Sequence, residues 1–97
     1  MAVGMLIQAP GMTADFYDSI LEHLDWDEQD RPQGFISHYA GPTAGGWAVF
    51  DVWESQDDFE RFARERLGPA MAAAAGGEPP QIEPAFVPIH RQDHASR

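Results

Sequence analysis

The sequence predicts an α+β domain whose elements run β-α-β-β-α-β. Two amphipathic helical stretches, opening at Thr13 and Ser55, repeat apolar side chains every three or four positions. Between them, Gly34 to Glu54 alternates with a period of two about a Gly- and Pro-rich connection, which marks a hairpin. Short apolar runs at the two ends of the chain complete four strands.

Ala2 to Gln8 is the first strand, ended by Ala9-Pro10-Gly11. Thr13 is the N-cap of the first helix, with Asp15 in its first turn at the positive end of the dipole. Phe16, Tyr17, Ile20, Leu21 and Leu24 form its apolar stripe. Asp15, Asp18, Glu22 and Asp25 form a solvated acidic face, and Asp25 to Pro32 an acidic loop. That loop lacks the glycine and terminal Glu of an EF-hand. Ser55-Gln56-Asp57-Asp58 resembles a capping box with Asp in place of Glu. The helix it opens carries Phe59, Phe62, Ala63, Arg66 and Leu67. Gly68-Pro69 is expected to interrupt it, with a short follow-on helix over Ala70 to Ala75. Gly76-Gly77 ends that helix, and Pro79-Pro80 is a stiff spacer. Gln81 to His90 is the last strand, and its two prolines place it at a sheet edge. Arg91 to Arg97 is expected to be a flexible tail, so a single domain spans 1–97 with its core over 3–90.

In the hairpin, Gly41 to Gly46 are turn residues. An even connection sets Ala40 opposite Trp47, His38 opposite Val49 and Ile36 opposite Asp51. One face then carries Phe35, Ser37, Tyr39, Ala48, Phe50 and Val52. The other carries Ile36, His38, Ala40, Trp47, Val49, Asp51 and Trp53. The first is expected to lie under the helices and the second to be helix-free. The element order is the ferredoxin-like pattern, a four-stranded antiparallel sheet with both helices on one face. The inexpensive cover for the remaining face is a second copy related by a two-fold axis, so a homodimer is expected.

Composition narrows the partners. The 97 residues have a formal net charge of −10, and every basic residue is Arg. Phosphate backbones and anionic membrane surfaces are poor partners for such a chain. It has no cysteine, so disulfide and thiol chemistry are excluded. No stretch approaches the roughly 20 apolar residues of a membrane span, and the N-terminal run has no basic segment before it. A cytoplasmic location is the default expectation.

Gly45-Gly46-Trp47 entering a strand that ends Asp51-Val52-Trp53-Glu54-Ser55, then Phe59, Phe62 and Arg66-Leu67-Gly68-Pro69-Ala70, resembles the dimeric α/β-barrel superfamily. The likeness is to small actinobacterial-type members near the antibiotic-biosynthesis monooxygenase-like group. It covers about residues 3 to 90. It implies a dimeric barrel and a small-molecule ligand. The activities in view are cofactor-free monooxygenation or cyclisation of aromatic or polyketide-like compounds. The haem-degrading members use an Asn, a Trp and a His, and this chain contains no Asn.

His38 is the candidate general base or acid, because imidazole titrates near neutrality. Asp51, diagonal to it on the same face, is the candidate for orienting the ring. A one-residue slip would exchange His38 with Tyr39, which stands as the alternate acid. Ile36, Trp47, Val49, Trp53 and Phe86 are candidate walls for a planar ligand. His90 and His94 have helical metal-pair spacing but no third ligand nearby, and His23 reads as a surface residue, so no metal site is expected. No phosphate-binding loop is present either, and no cofactor is expected. Three readings follow. The chain is a cofactor-free enzyme, a ligand-binding protein without chemistry, or a structural dimer whose interior is filled by side chains. An empty pocket of about 300 Å³ or more beside His38 would favour the first two.

Overall fold

A computed structural model describes residues 2–27, 29–78 and 82–95. Its elements are β1 (Val3–Pro10), α1 (Ala14–Leu24), β2 (Phe35–Thr43), β3 (Gly46–Trp53), α2 (Gln56–Phe62), a π-helical turn (Ala63–Leu67), α3 (Gly68–Ala75) and β4 (Ala85–Pro88). The strands form one antiparallel sheet in the order β2-β3-β1-β4. This is the ferredoxin-like architecture. Both cap expectations hold. Thr13 accepts from the Phe16 amide at 3.1 Å, and Ser55 from the Asp58 amide at 3.2 Å. The last strand is an edge strand but shorter than expected, and the spacer Pro79-Pro80 lies outside the described residues.

The hairpin connection is tighter than six turn residues. Thr43 pairs with Gly46, leaving Ala44 and Gly45 as the loop, and Gly45 takes φ +92°, a region open to glycine. The register is thereby offset by two from the expected one. His38 stands opposite Asp51, Ala40 opposite Val49 and Pro42 opposite Trp47. Pro42 is tolerated because β2 is an edge strand. An offset of two preserves parity, so the two sets of side chains survive, with one exception. A bulge between Phe35 and Ser37 makes Ile36 the extra residue. It turns Phe35 to the side of Trp53, where the rings meet edge-on at 5.5 Å.

The helices cover the opposite face from the one expected. The core joins Met5 and Ile7 of β1 and Trp53 of β3 to Ile20 and Leu24 of α1, Phe59 and Phe62 of α2, and Ala70 and Met71 of α3. Thus Trp53, Val49 and His38 lie beneath the helices, and the helix-free face presents Leu6, Tyr39, Phe50 and Val87. The physical reason lies in what each face offers. Met5, Ile7, Val49, Trp53 and Phe86 give the helices a continuous apolar surface, and Asp51 finds partners within it. The acidic loop also returns to the core. Trp26 packs edge-on against Phe35 at 5.3 Å and Phe62 at 6.3 Å.

Gly68-Pro69 does not break the second helical segment. Pro69 has no N–H to give the carbonyl one turn back, and its ring would crowd that group. The chain widens by one residue instead, and the Gly68 amide donates to the Ala63 carbonyl five positions earlier. The segment continues to Ala75, where Gly76 closes it at φ +74°.

Candidate functional site

The cross-strand pair His38 and Asp51 projects from the sheet toward the helices. Asp51 is 5% exposed, and a carboxylate so buried is costly without partners. It has two. Its Oδ1 lies 2.5 Å from His38 Nδ1, and its Oδ2 accepts the Trp53 indole N–H at 3.2 Å. An ionised carboxylate only accepts, so Nδ1 carries a proton, and when the ring is neutral Nε2 is left as an acceptor. Tyr17, on the sheet-facing side of α1, supplies the donor. Its hydroxyl is 2.5 Å from Nε2. The result is a continuous chain from Trp53 through Asp51 and His38 to Tyr17. The Tyr17 and His38 rings are parallel to within 2°, and Tyr17 also rests on Trp47 with centroids 5.2 Å apart.

Burial raises the Tyr17 pKa above its ordinary 10.0, and the charges of Asp51 and Asp18 push the same way. At neutral pH Tyr17 is therefore a neutral donor. With a folded pKa above the unfolded one, its contribution to stability is complete below about pH 10 and is lost as pH rises through the folded value. The chain has two tyrosines, so Tyr39→Phe leaves Tyr17 alone to report. Phenolate absorbance in that variant is expected to rise with a midpoint above pH 10, and Asp51→Asn is expected to lower that midpoint. A midpoint at the free-tyrosine value would contradict the burial argument.

A cavity of about 90 Å³ adjoins this chain of bonds, lined on its polar side by Tyr17, His38, Trp47 and Asp51. Its apolar walls include Met5, Ile7, Val49 and Leu67, the last presented by the π-helical turn. A second hollow of about 490 Å³ shares Ala9, Met12 and Ile82 with it and extends past Thr13 and Phe16 to Glu78. The inner cavity is below the scale of roughly 300–1,000 Å³ usual for ligand sites, and only with the outer hollow is that scale reached.

His38, Asp51, Trp47 and Val49 come together here. The other sequence candidates do not line the cavity. Trp53 lies behind Asp51 in the core, and Phe86 packs on Phe59 at 5.8 Å. Ile36 is turned out by the bulge, 41% exposed. Tyr39 is 60% exposed on the helix-free face. His23, His90 and His94 are exposed, and among the described residues no three metal-ligating side chains converge. Sequence reasoning missed Tyr17, counting it as part of an apolar stripe. A phenol on the buried face of a helix was the available signal, since its hydroxyl needs a partner.

No protein-family model matches the sequence, and no curated protein matches it. Solved structures share its fold. SnoaB, a cofactor-independent oxygenase from Streptomyces nogalater, is 17% identical, with 94% of this chain and 95% of that one covered at a TM-score of 0.63. Rv0793 from Mycobacterium tuberculosis is 15% identical, with 99% and 100% covered at 0.61. A Deinococcus radiodurans protein named as a candidate antibiotic-biosynthesis monooxygenase is 10% identical, with both chains wholly covered at 0.60. The fold of antibiotic-biosynthesis monooxygenase-like proteins, expected from the sequence, is the fold of this chain.

Proposed function

We propose that the chain is a cofactor-free enzyme of the monooxygenase or cyclase type, acting on an aromatic or polyketide-like molecule. The observation that carries this reading is the Asp51–His38–Tyr17 chain ending at an apolar cavity. In the proposed scheme the substrate gives up an acidic C–H or phenolic proton to this chain. His38 Nε2 is the acceptor, reached through Tyr17 or directly once a ligand displaces the phenol, and Asp51 holds the resulting imidazolium. The carbanion then passes one electron to O₂, the substrate radical and superoxide combine, and the hydroperoxide so formed loses water to leave a quinone. In the cyclase branch the carbanion attacks a carbonyl within the same molecule and the imidazolium returns the proton to the new alkoxide. The low polarity of the walls shields it from water. That SnoaB, which shares this fold, is a cofactor-independent oxygenase lends the oxygenase branch support.

The test is to incubate the metal-free protein with hydroxylated anthrones and 1,3-diketo aromatics under air, following O₂ uptake and ring closure. Turnover by the wild type that collapses in His38→Ala supports the reading. No consumption of any of these compounds favours the second reading, a structural dimer in which the buried pair only ties two strands. The small inner cavity is the observation on the side of that alternative.

We also infer a two-fold homodimer formed through the helix-free face. Leu6, Tyr39, Phe50 and Val87 are 38%, 60%, 38% and 58% exposed there. Burying a large apolar side chain contributes roughly 1.5–3 kcal/mol before ordering costs. Sedimentation at micromolar concentration is expected to give twice the 10.8 kDa chain mass. The double variant Tyr39→Asp, Val87→Asp is expected to sediment as a folded monomer. A wild type that stays at the chain mass rules the dimer out.

A further inference from the structure

We propose that the inner cavity is a binding site for molecular oxygen, held apart from the organic substrate. Its use as a store for catalysis rests on the oxygenase branch of the proposed function. The binding itself rests on the shape and chemistry of the walls. Met5, Ile7 and Ala9 line the cavity in turn along one face of β1, a run of about 13 Å at the rise of a strand. A volume of about 90 Å³ spread over that length is a slot little wider than one small molecule. It is also smaller than the roughly 150 Å³ void known to admit benzene. An aromatic ring therefore stops at the end shared with the outer hollow, by Ala9, Met12 and Ile82.

The walls select what enters the slot. Met5 shares the buried core with Leu24, Phe59, Phe62 and Met71, which line the same cavity and bring no nitrogen or oxygen to it. An ordered water needs two to four polar partners. On the polar side, Tyr17 and His38 spend their donors within the chain of bonds to Asp51, so a water gains none from them. Ions are excluded by the cost of leaving water for apolar walls. Dry apolar voids of this kind take up xenon. Among apolar gases, O₂ is the one the proposed oxygenation consumes. It is small, neutral and polarizable, and the sulfurs of Met5 and Met71 and the rings of Phe59 and Phe62 are polarizable partners for it. Held in the slot, O₂ waits on the side of the substrate that water does not reach, which raises its effective concentration at the carbanion.

O₂ is paramagnetic and broadens the resonances of methyl groups it touches. Under O₂ pressure, the Met5 and Met71 methyl resonances are expected to broaden several-fold more than those of Val52, and N₂ at the same pressure is expected to leave all of them sharp. Met71 and Val52 are each 6% exposed, and of the two Met71 alone lines the cavity, so access from solvent does not account for such a difference. Met71→Phe fills part of the slot. It is expected to reduce the Met5 broadening and to raise the O₂ concentration at half-maximal turnover roughly 4-fold, the worth of burying one methylene-sized group. The KM of the organic substrate is expected to move less. Equal broadening of Met5, Met71 and Val52 overturns the proposal, as does an unchanged O₂ requirement in Met71→Phe once its Met5 broadening is lost. The wild-type resonances decide alone should the variant not fold. Broadening confined to the cavity methyls without turnover of any substrate keeps this site and removes the enzymatic reading. Oxygenation with cavity methyls no broader than Val52 does the reverse.

Discussion

Trp53→Ala is expected to destabilise the fold by about 3–5 kcal/mol, the range for deleting a large buried aromatic side chain. Trp53 is 1% exposed and lies within 5.4–5.6 Å, ring centre to ring centre, of Phe35, Phe59 and Phe62. Its loss opens a cavity among them and also strips Asp51 Oδ2 of its donor. Domains of this size hold about 5–15 kcal/mol in all, so the variant stands near the edge of folding. Urea denaturation measures the loss. Trp53→Phe separates the two contributions, because it restores most of the volume but not the N–H, and is expected to cost less than Trp53→Ala. Trp53→Asp, on the sequence-based placement of this residue at a dimer interface, is expected to dissociate or unfold the dimer. With Trp53 under the helices, it is expected to unfold each subunit. A folded Trp53→Asp monomer would overturn this placement of the core.

His38→Ala is expected to lower turnover by about 10²–10⁴-fold, the usual contribution of a general base, with the fold retained. The side chain is 31% exposed, so its truncation opens Asp51 Oδ1 to solvent, and water takes the place of the lost Nδ1–H. Asp51→Asn is expected to cost less. The amide offers one acceptor oxygen where two donors, the His38 Nδ1–H and the Trp53 N–H, now meet two. The ring is then free to take the other tautomer. Tyr17→Phe locates the group that meets the substrate. If the phenol relays the proton, turnover falls as far as in His38→Ala. If the ligand displaces it from Nε2, turnover is kept or rises. Tyr39→Phe is expected to be silent, since that side chain points away from the site. Full activity in His38→Ala would remove the proposed mechanism whatever Tyr17 does.

Much of this protein is local and was legible without the fold. The caps at Thr13 and Ser55 hold because a short side-chain oxygen meets an amide three residues on. The hairpin alternation put His38, Asp51, Trp47 and Trp53 on one side, and a register offset by an even number keeps them there. The β-α-β-β-α-β order follows from periodicity, apolar runs and the turn and cap residues between them. Three things were decided only in three dimensions. Alternation sorts side chains into two faces but does not say which one the helices cover. The hand of the crossover connections and the apolar area each face offers settle that together. The bulge that expels Ile36 and turns Phe35 inward is an adjustment of β2 to its neighbour, visible only when the strands are paired. Tyr17 reads as one more apolar helix position until α1 lies across the sheet. Its hydroxyl then meets His38, 21 residues away in sequence, because hydrogen bonds between side chains on different elements follow from packing and not from spacing along the chain.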